Sequence, residues 1–166
     1  DRFWAPPAGA PVMPVQAPEP ITLQLILAQA SYDLGAPIPA TVRVTNVSAS
    51  DVRVFTRNLL EGAPLYFDIR DASDAVVPFR GIKFRPVFDD EDFATVGPGA
   101  SYDFNLDLTR DPESGVFHYL FPGPGTYTAV ARYAGFYGLP DTAAPPVSIV
   151  INPGGSLSGF VRDATN

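Results

Sequence analysis

Cysteine is absent and histidine occurs once, as His118. That excludes disulfides, zinc–thiolate centres, iron–sulfur clusters, multi-histidine metal sites and cysteine nucleophiles. Lysine also occurs once, as Lys83, and 11 basic residues face 18 acidic ones, for a formal net charge of −7. This balance is the opposite of the basic footprint that binds a phosphate backbone, so nucleic acid is not an expected partner. No apolar run approaches the roughly 18 residues that span a bilayer. The longest, Ile21 to Ala28, is interrupted by Thr22 and Gln24, and no transmembrane segment is expected.

What remains is a chain of 166 residues that is 46% hydrophobic and only 17% charged, enough apolar material for one core and too little charge for a disordered chain. Residues 1–20 hold six prolines, which fix φ and remove backbone donors, so this stretch reads as an extended arm. It nevertheless carries Phe3, the sole tryptophan Trp4 and the sole methionine Met13, apolar groups suited to a partner surface. The first residue is Asp1 rather than Met. The expectation is a removed secretory signal, and hence a secreted, periplasmic or cell-surface protein. Abundant Ala, Pro, Gly and Arg suggest a bacterial, high-GC source.

From Ile21 the hydrophobic period becomes two. Ile21, Leu23 and Leu25 alternate with Thr22 and Gln24; Ile38, Ala40, Val42 and Val44 with Thr41 and Arg43; Leu65, Phe67 and Ile69 with Tyr66 and Asp68; Tyr102, Phe104 and Leu106 with Asp103 and Asn105. Asp51 to Arg57, Gly125 to Tyr133 and Val147 to Ile151 repeat the pattern. Turn signals recur about every 8–12 residues, and no helical stripe of ten or more appears. This predicts an all-β, immunoglobulin-like antiparallel β-sandwich of seven to nine strands over residues 21–153, with 154–166 as an extra strand or a linker. A jelly roll or another two-sheet arrangement is the alternative. Pro122-Gly-Pro-Gly-Thr-Tyr127 resembles the start of the sixth immunoglobulin strand, where a tyrosine hydroxyl returns to the backbone as a brace. The second cysteine and core tryptophan of antibody domains are missing.

Five further segments carry a family resemblance. They are Thr45-Asn46 closing an early strand, Gly81-Ile-Lys-Phe-Arg-Pro86, Asp92-Phe93, Gly97-Pro-Gly-Ala-Ser101 ahead of the alternating Tyr102 to Leu108, and Gly125-Thr-Tyr127. In order and spacing this resembles the N-terminal, pro-region-like β-sandwich of deuterolysin-like (aspzincin) lysyl metallopeptidases. The chain departs from that pattern where Phe84 separates Lys83 from Arg85, and it lacks the catalytic domain. The resemblance implies a secreted accessory domain, with Lys83 as a peptidase contact. Gly155-Ser-Leu-Ser-Gly-Phe-Val-Arg-Asp163 is similar to the opening strand of a carboxypeptidase-regulatory-like sandwich.

The acids Asp89, Asp90, Glu91 and Asp92, with Asp103, Asp107 and Asp111, offer oxygen ligands of the kind calcium takes, and Asp89, Asp90 and Asp92 are its candidate ligands. They lack the spaced order of a dedicated calcium loop, and a solvated acidic loop is the simpler expectation. Two of them facing across a cleft would be needed for glycoside hydrolysis. His118, with Ser114 or a nearby aspartate, is a further general-base candidate; among Phe117, Tyr119 and Phe121 it reads first as a packed side chain. Asn46-Val-Ser48 is a glycosylation sequon. The aromatic residues Phe117, Tyr119, Phe121, Tyr133, Phe136 and Tyr137 alternate mainly as core residues do. The expected function is a non-catalytic, exported protein-interaction domain, an accessory subunit of a larger extracellular or membrane-associated assembly, in a peptidase-associated or inhibitory form where the resemblance holds. A self-assembling subunit of a surface filament, joined by strand or arm exchange, is the alternative. No cofactor is expected, and the partner is a protein, heterologous or self.

Overall fold

The computed structural model describes residues 19–56, 65–81, 89–134 and 139–154. The alternating segments form ten strands: β1 (Ile21–Leu27), β2 (Ser31–Asp33), β3 (Pro39–Asn46), β4 (Val52–Phe55), β5 (Leu65–Arg70), β6 (Phe93–Val96), β7 (Ser101–Asp107), β8 (Gly125–Tyr133), β9 (Thr142–Ala143) and β10 (Val147–Asn152). Eight of these have four residues or more; the short β2 and β9, and β6, are strands that the alternation did not single out.

Two sheets face each other. One is ordered β1-β3-β7 and antiparallel throughout; the other is ordered β2-β10-β8-β5, with β9 also paired to β8. The chain crosses from the first sheet to the second between β1 and β2, and β2 then runs parallel to β10 in an otherwise antiparallel sheet. A first strand split across both sheets, its second part beside the last strand, makes this the expected immunoglobulin-like sandwich. β4 and β6 form a separate two-stranded ribbon.

The period of two explains the layers. Ile21, Leu23 and Leu25 from β1, Ala40, Val42 and Val44 from β3, Phe67 and Ile69 from β5, Tyr127, Ala129, Ala131 and Tyr133 from β8, and Ile149 and Ile151 from β10 point inward and are buried. The residues between them face out. On the β3–β7 face they pair rung by rung: Thr45 with Ser101 at 2.8 Å, Arg43 with Asp103 at 2.8 and 2.9 Å, and Thr41 with Asn105 at 3.0 Å. This ladder pins the register, because a one-residue slip would bury it.

The expected brace is present: the Tyr127 hydroxyl donates to the Gly123 carbonyl at 2.7 Å, four residues back. The Gly97-Pro-Gly-Ala100 step is a tight turn. Ala100 N–H donates to the Gly97 carbonyl at 3.0 Å, Pro98 takes the second position, and Gly99 has a positive φ of 74°, the combination that a type II turn requires.

The first and last described residues of the sandwich lie at opposite ends of it. At the near end the Pro20 carbonyl accepts from Val47 N–H at 2.9 Å, beside the turns 46–51 and 97–100. At the far end the Asn152 carbonyl accepts from Leu34 N–H at 3.0 Å.

Candidate functional site

The far end of the sandwich is built around the loop that leaves β7. β7 continues past Asp107 into a loop that turns at 111–115 and returns beside itself. Asp111 builds this turn: its Oδ1 accepts from the Glu113 and Ser114 N–H groups at 2.8 Å, and Gly115, with a φ of 72°, closes it. The backbone N–H of Ser114, foremost, holds the Asp111 carboxyl below the usual carboxylate range.

The returning segment is fixed on both sides. His118 N–H donates to the Thr109 carbonyl, Tyr119 N–H to the Leu108 carbonyl, and Arg80 N–H to the His118 carbonyl. The Tyr119 hydroxyl reaches the edge of β5, where it accepts from Phe67 N–H at 3.2 Å and donates to the Phe67 carbonyl at 3.1 Å. A side chain thus occupies that stretch of sheet edge, which would otherwise invite another strand. Burial pushes the Tyr119 phenol up to about 12.

On this fixed backbone Phe117 and Leu120 point outward, 55% and 42% exposed. They border a recess of about 80 Å³ whose other walls are the β2–β3 turn, Thr109, Arg110 and Ile151. Two further grooves lie along the β1-β3-β7 sheet. One, of about 250 Å³, runs between β7 and the pair Thr56 and Leu65; the other, of about 190 Å³, lies over Ile26, Thr41 and Asn105.

The residues proposed for chemistry are engaged in the fold. His118 is buried, stacks on Phe79 with ring centroids 5.7 Å apart, and places Nδ1 3.2 Å from the Asp107 carbonyl. Because a carbonyl only accepts, Nδ1 carries the proton. Among the described residues Nε2 has no hydrogen-bond partner, although it is buried.

The acidic residues do not gather around one point. Asp90 pairs with Arg53 at 3.0 Å, and Asp92 is buried and accepts from Asp89 N–H at 3.1 Å in a single 3₁₀ turn over Asp90–Asp92. Asp103 holds Arg43, whose hydrogen bonds keep its carboxyl low. Asp107 Oδ1 accepts from Ile38 N–H and from both the N–H and the hydroxyl of Thr109. Among the described residues no three His, Asp or Glu side chains form a group that could hold a metal ion. Local backbone groups and Arg53 engage the acids of this turn.

Asn46, the sequon residue, is held inside the fold. It is fully buried; Nδ2 donates to the Ser50 and Val96 carbonyls at 2.7 and 2.8 Å, and Oδ1 accepts from Ser48 N–H at 2.9 Å and Ser48 Oγ at 2.7 Å. Both amide hydrogens that glycosylation would need are committed in the folded protein. Of the aromatic group, Tyr119 and Tyr133 are core and Phe121 is half-buried against Tyr127, whereas Phe117 is the exception that alternation did not reveal. Phe3, Trp4, Met13, Lys83, Phe136 and Tyr137 lie outside the described residues. Among those described, no helix is long and apolar enough to cross a membrane.

No family model matches the chain, and no curated protein does. Among solved structures it is similar to the sporulation control protein Spo0M from Bacillus subtilis, at 13% identity and a TM-score of 0.43, over 80% of this chain and 49% of that one. The chain thus spans about half the length of Spo0M. It is also similar to PapD-like domain 7 (an ASH/PapD-like domain) of human CEP192, at 12% identity and a TM-score of 0.30, over 92% of this chain and 97% of that one.

Proposed function

We propose that this chain is a non-catalytic, exported protein-contact domain, an accessory subunit of a larger extracellular or membrane-associated assembly, tethered through the arm of residues 1–20. The observation that carries the reading is the placement of Pro20. Pro20 lies at the near end of the sandwich, beside the exposed Val47, and Phe3, Trp4 and Met13 precede it in the sequence. An extended, proline-rich chain spans about 3.1 Å per residue and loses little conformational freedom when it binds. Engagement of the described histidine and aspartates by neighbouring backbone and side chains also fits contact better than chemistry.

In the form suggested by the aspzincin resemblance, the partner is a lysyl metallopeptidase and Lys83 is the contact. Inhibition of such a peptidase by the purified chain, lost in Lys83→Ala, is the outcome expected of that form. The general reading is tested by placing a photo-crosslinking amino acid at position 4 and irradiating the cells that make the protein. A discrete adduct with a different polypeptide in an extracytoplasmic fraction is expected. Adducts only at multiples of this chain's mass would replace the accessory reading with the filament, and the absence of any adduct would remove the arm as a tether.

A further inference from the structure

A sheet edge exposes backbone donors and acceptors that pair with a further strand unless something covers them. The edge of β5 is covered at two points: the Tyr119 hydroxyl takes Phe67, and Val77 N–H donates to the Ile69 carbonyl at 2.8 Å. β7 is treated differently. It is the outer strand of the β1-β3-β7 sheet, and among the described residues no strand pairs with its other side.

The register says which groups that side presents. Asn46 N–H donates to the Ala100 carbonyl and Leu108 N–H to the Ile38 carbonyl, so the even-numbered residues of β7 turn their backbone groups to β3. The N–H and C=O groups of Ser101, Asp103 and Asn105 therefore point away from it. At Asp107 the row closes, because His118 Nδ1 donates to that carbonyl at 3.2 Å.

Beside the open stretch runs the groove of about 250 Å³, with Thr56 and Leu65 as its far wall. The apolar side of β7 is less covered than that of its neighbour: Val42 and Val44 of β3 are fully buried, whereas Tyr102 and Leu106 are only half-buried. A strand laid along β7 would pair its backbone with Asp103 and Asn105 and set alternate side chains on Tyr102, Phe104 and Leu106. Its other side chains would stand beside the outward row of Ser101, Asp103, Asn105 and Asp107, which holds two acids and no base on a chain of net charge −7. Arg43 offsets only one of them. A second copy of β7 would bring the same acids to the same face, so the charge favours a basic partner over self-pairing.

We propose that β7 binds an extended segment of another protein, alternating apolar residues with lysine or arginine, as an added strand on its edge between Ser101 and Asn105. The inference shares with the contact reading only the premise that the partner is a polypeptide. It involves neither the arm nor the recess, so either can fail while the other stands.

A peptide alternating lysine and valine, matched to the seven residues of β7, tests it by titration into the full, isotopically labelled chain. Amide signals of Asp103 and Asn105 should shift and exchange more slowly with solvent, with Overhauser contacts to the peptide, while core signals such as Ile149 stay in place. Methylating the peptide nitrogens that face β7 should abolish these changes. Asn105→Pro, which removes a donor that β3 does not use, should weaken binding about tenfold. No response of Asp103 and Asn105 at millimolar peptide, or an equal one from the methylated peptide, would overturn strand addition. Equal binding of a glutamate–valine peptide would overturn the basic partner. Asp103 and Asn105 signals that move with the concentration of the chain alone would assign the edge to a second copy and overturn the proposal as well.

Discussion

At the scale of single residues, two polar side chains hold turns that their sequence context identifies unequally well. Gly-x-Tyr at the start of a late strand is a local pattern with a local consequence, so the brace from Tyr127 to Gly123 is legible in the sequence. Tyr127→Phe keeps the ring against Phe121 and removes one hydrogen bond, and should cost about 1 kcal/mol in urea unfolding. Asn46 was legible as the end of a strand and as a sequon, but not as a buried brace, because its partner at Val96 is fifty residues away and no local pattern points to it. Asn46→Ala leaves two buried or half-buried carbonyls and Ser48 without their partner, and should destabilise by about 3 kcal/mol. The native protein should carry no glycan at that position, which intact mass spectrometry reads directly.

At the scale of elements, strands long enough to alternate over three or more pairs were legible, and short ones were not. β2 has three residues, and its place beside β10 follows from a crossing between sheets that no sequence period encodes. β6 follows directly on the acidic turn, so Phe93 looked like the end of a loop rather than the partner of Phe55. The returning segment that contains Tyr119 belongs to no strand, yet it ties the loop after β7 to the edge of β5.

That tie has a pH signature. The folded phenol, at about 12, holds its proton more tightly than the unfolded one near 10. Its contribution is therefore fully present below pH 10 and lost as pH rises toward about 12. Urea midpoints should fall across this window, and less steeply in Tyr119→Phe. The fall will not vanish, because burial also raises Tyr133, whose hydroxyl bonds to Phe55 N–H. In the sheet core, Ile149→Ala should cost about 2–5 kcal/mol, since Ile149 is fully buried between the sheets.

At the scale of the whole molecule, fold class and solvated face were legible because both rest on counting: apolar alternation for the layers, and short polar or oppositely charged residues for the β3–β7 ladder. The far-end recess was not legible. Phe117 shares its alternation with core aromatics, and only the loop's path turns it outward. Light scattering separates the two assembly readings: the full chain and one lacking residues 1–20 should both measure as monomers, whereas polymers lost on truncation would favour the filament.

The parallel pair at the centre of this layout gives the domain a mechanical character. β2 follows the chain's near-end arrival, and β10 leads to its far-end departure, side by side and pointing the same way. Tension applied through the two ends draws these neighbours in opposite directions along their length. The rungs from Ser31–Val150 to Asp33–Asn152, and the Leu34–Asn152 bond beyond them, are then loaded together in shear instead of peeling one at a time. Single molecules stretched between their ends should resist until this short ladder fails at once. Leu34→Pro, which deletes the donor of the outermost bond, should lower the force at which that happens.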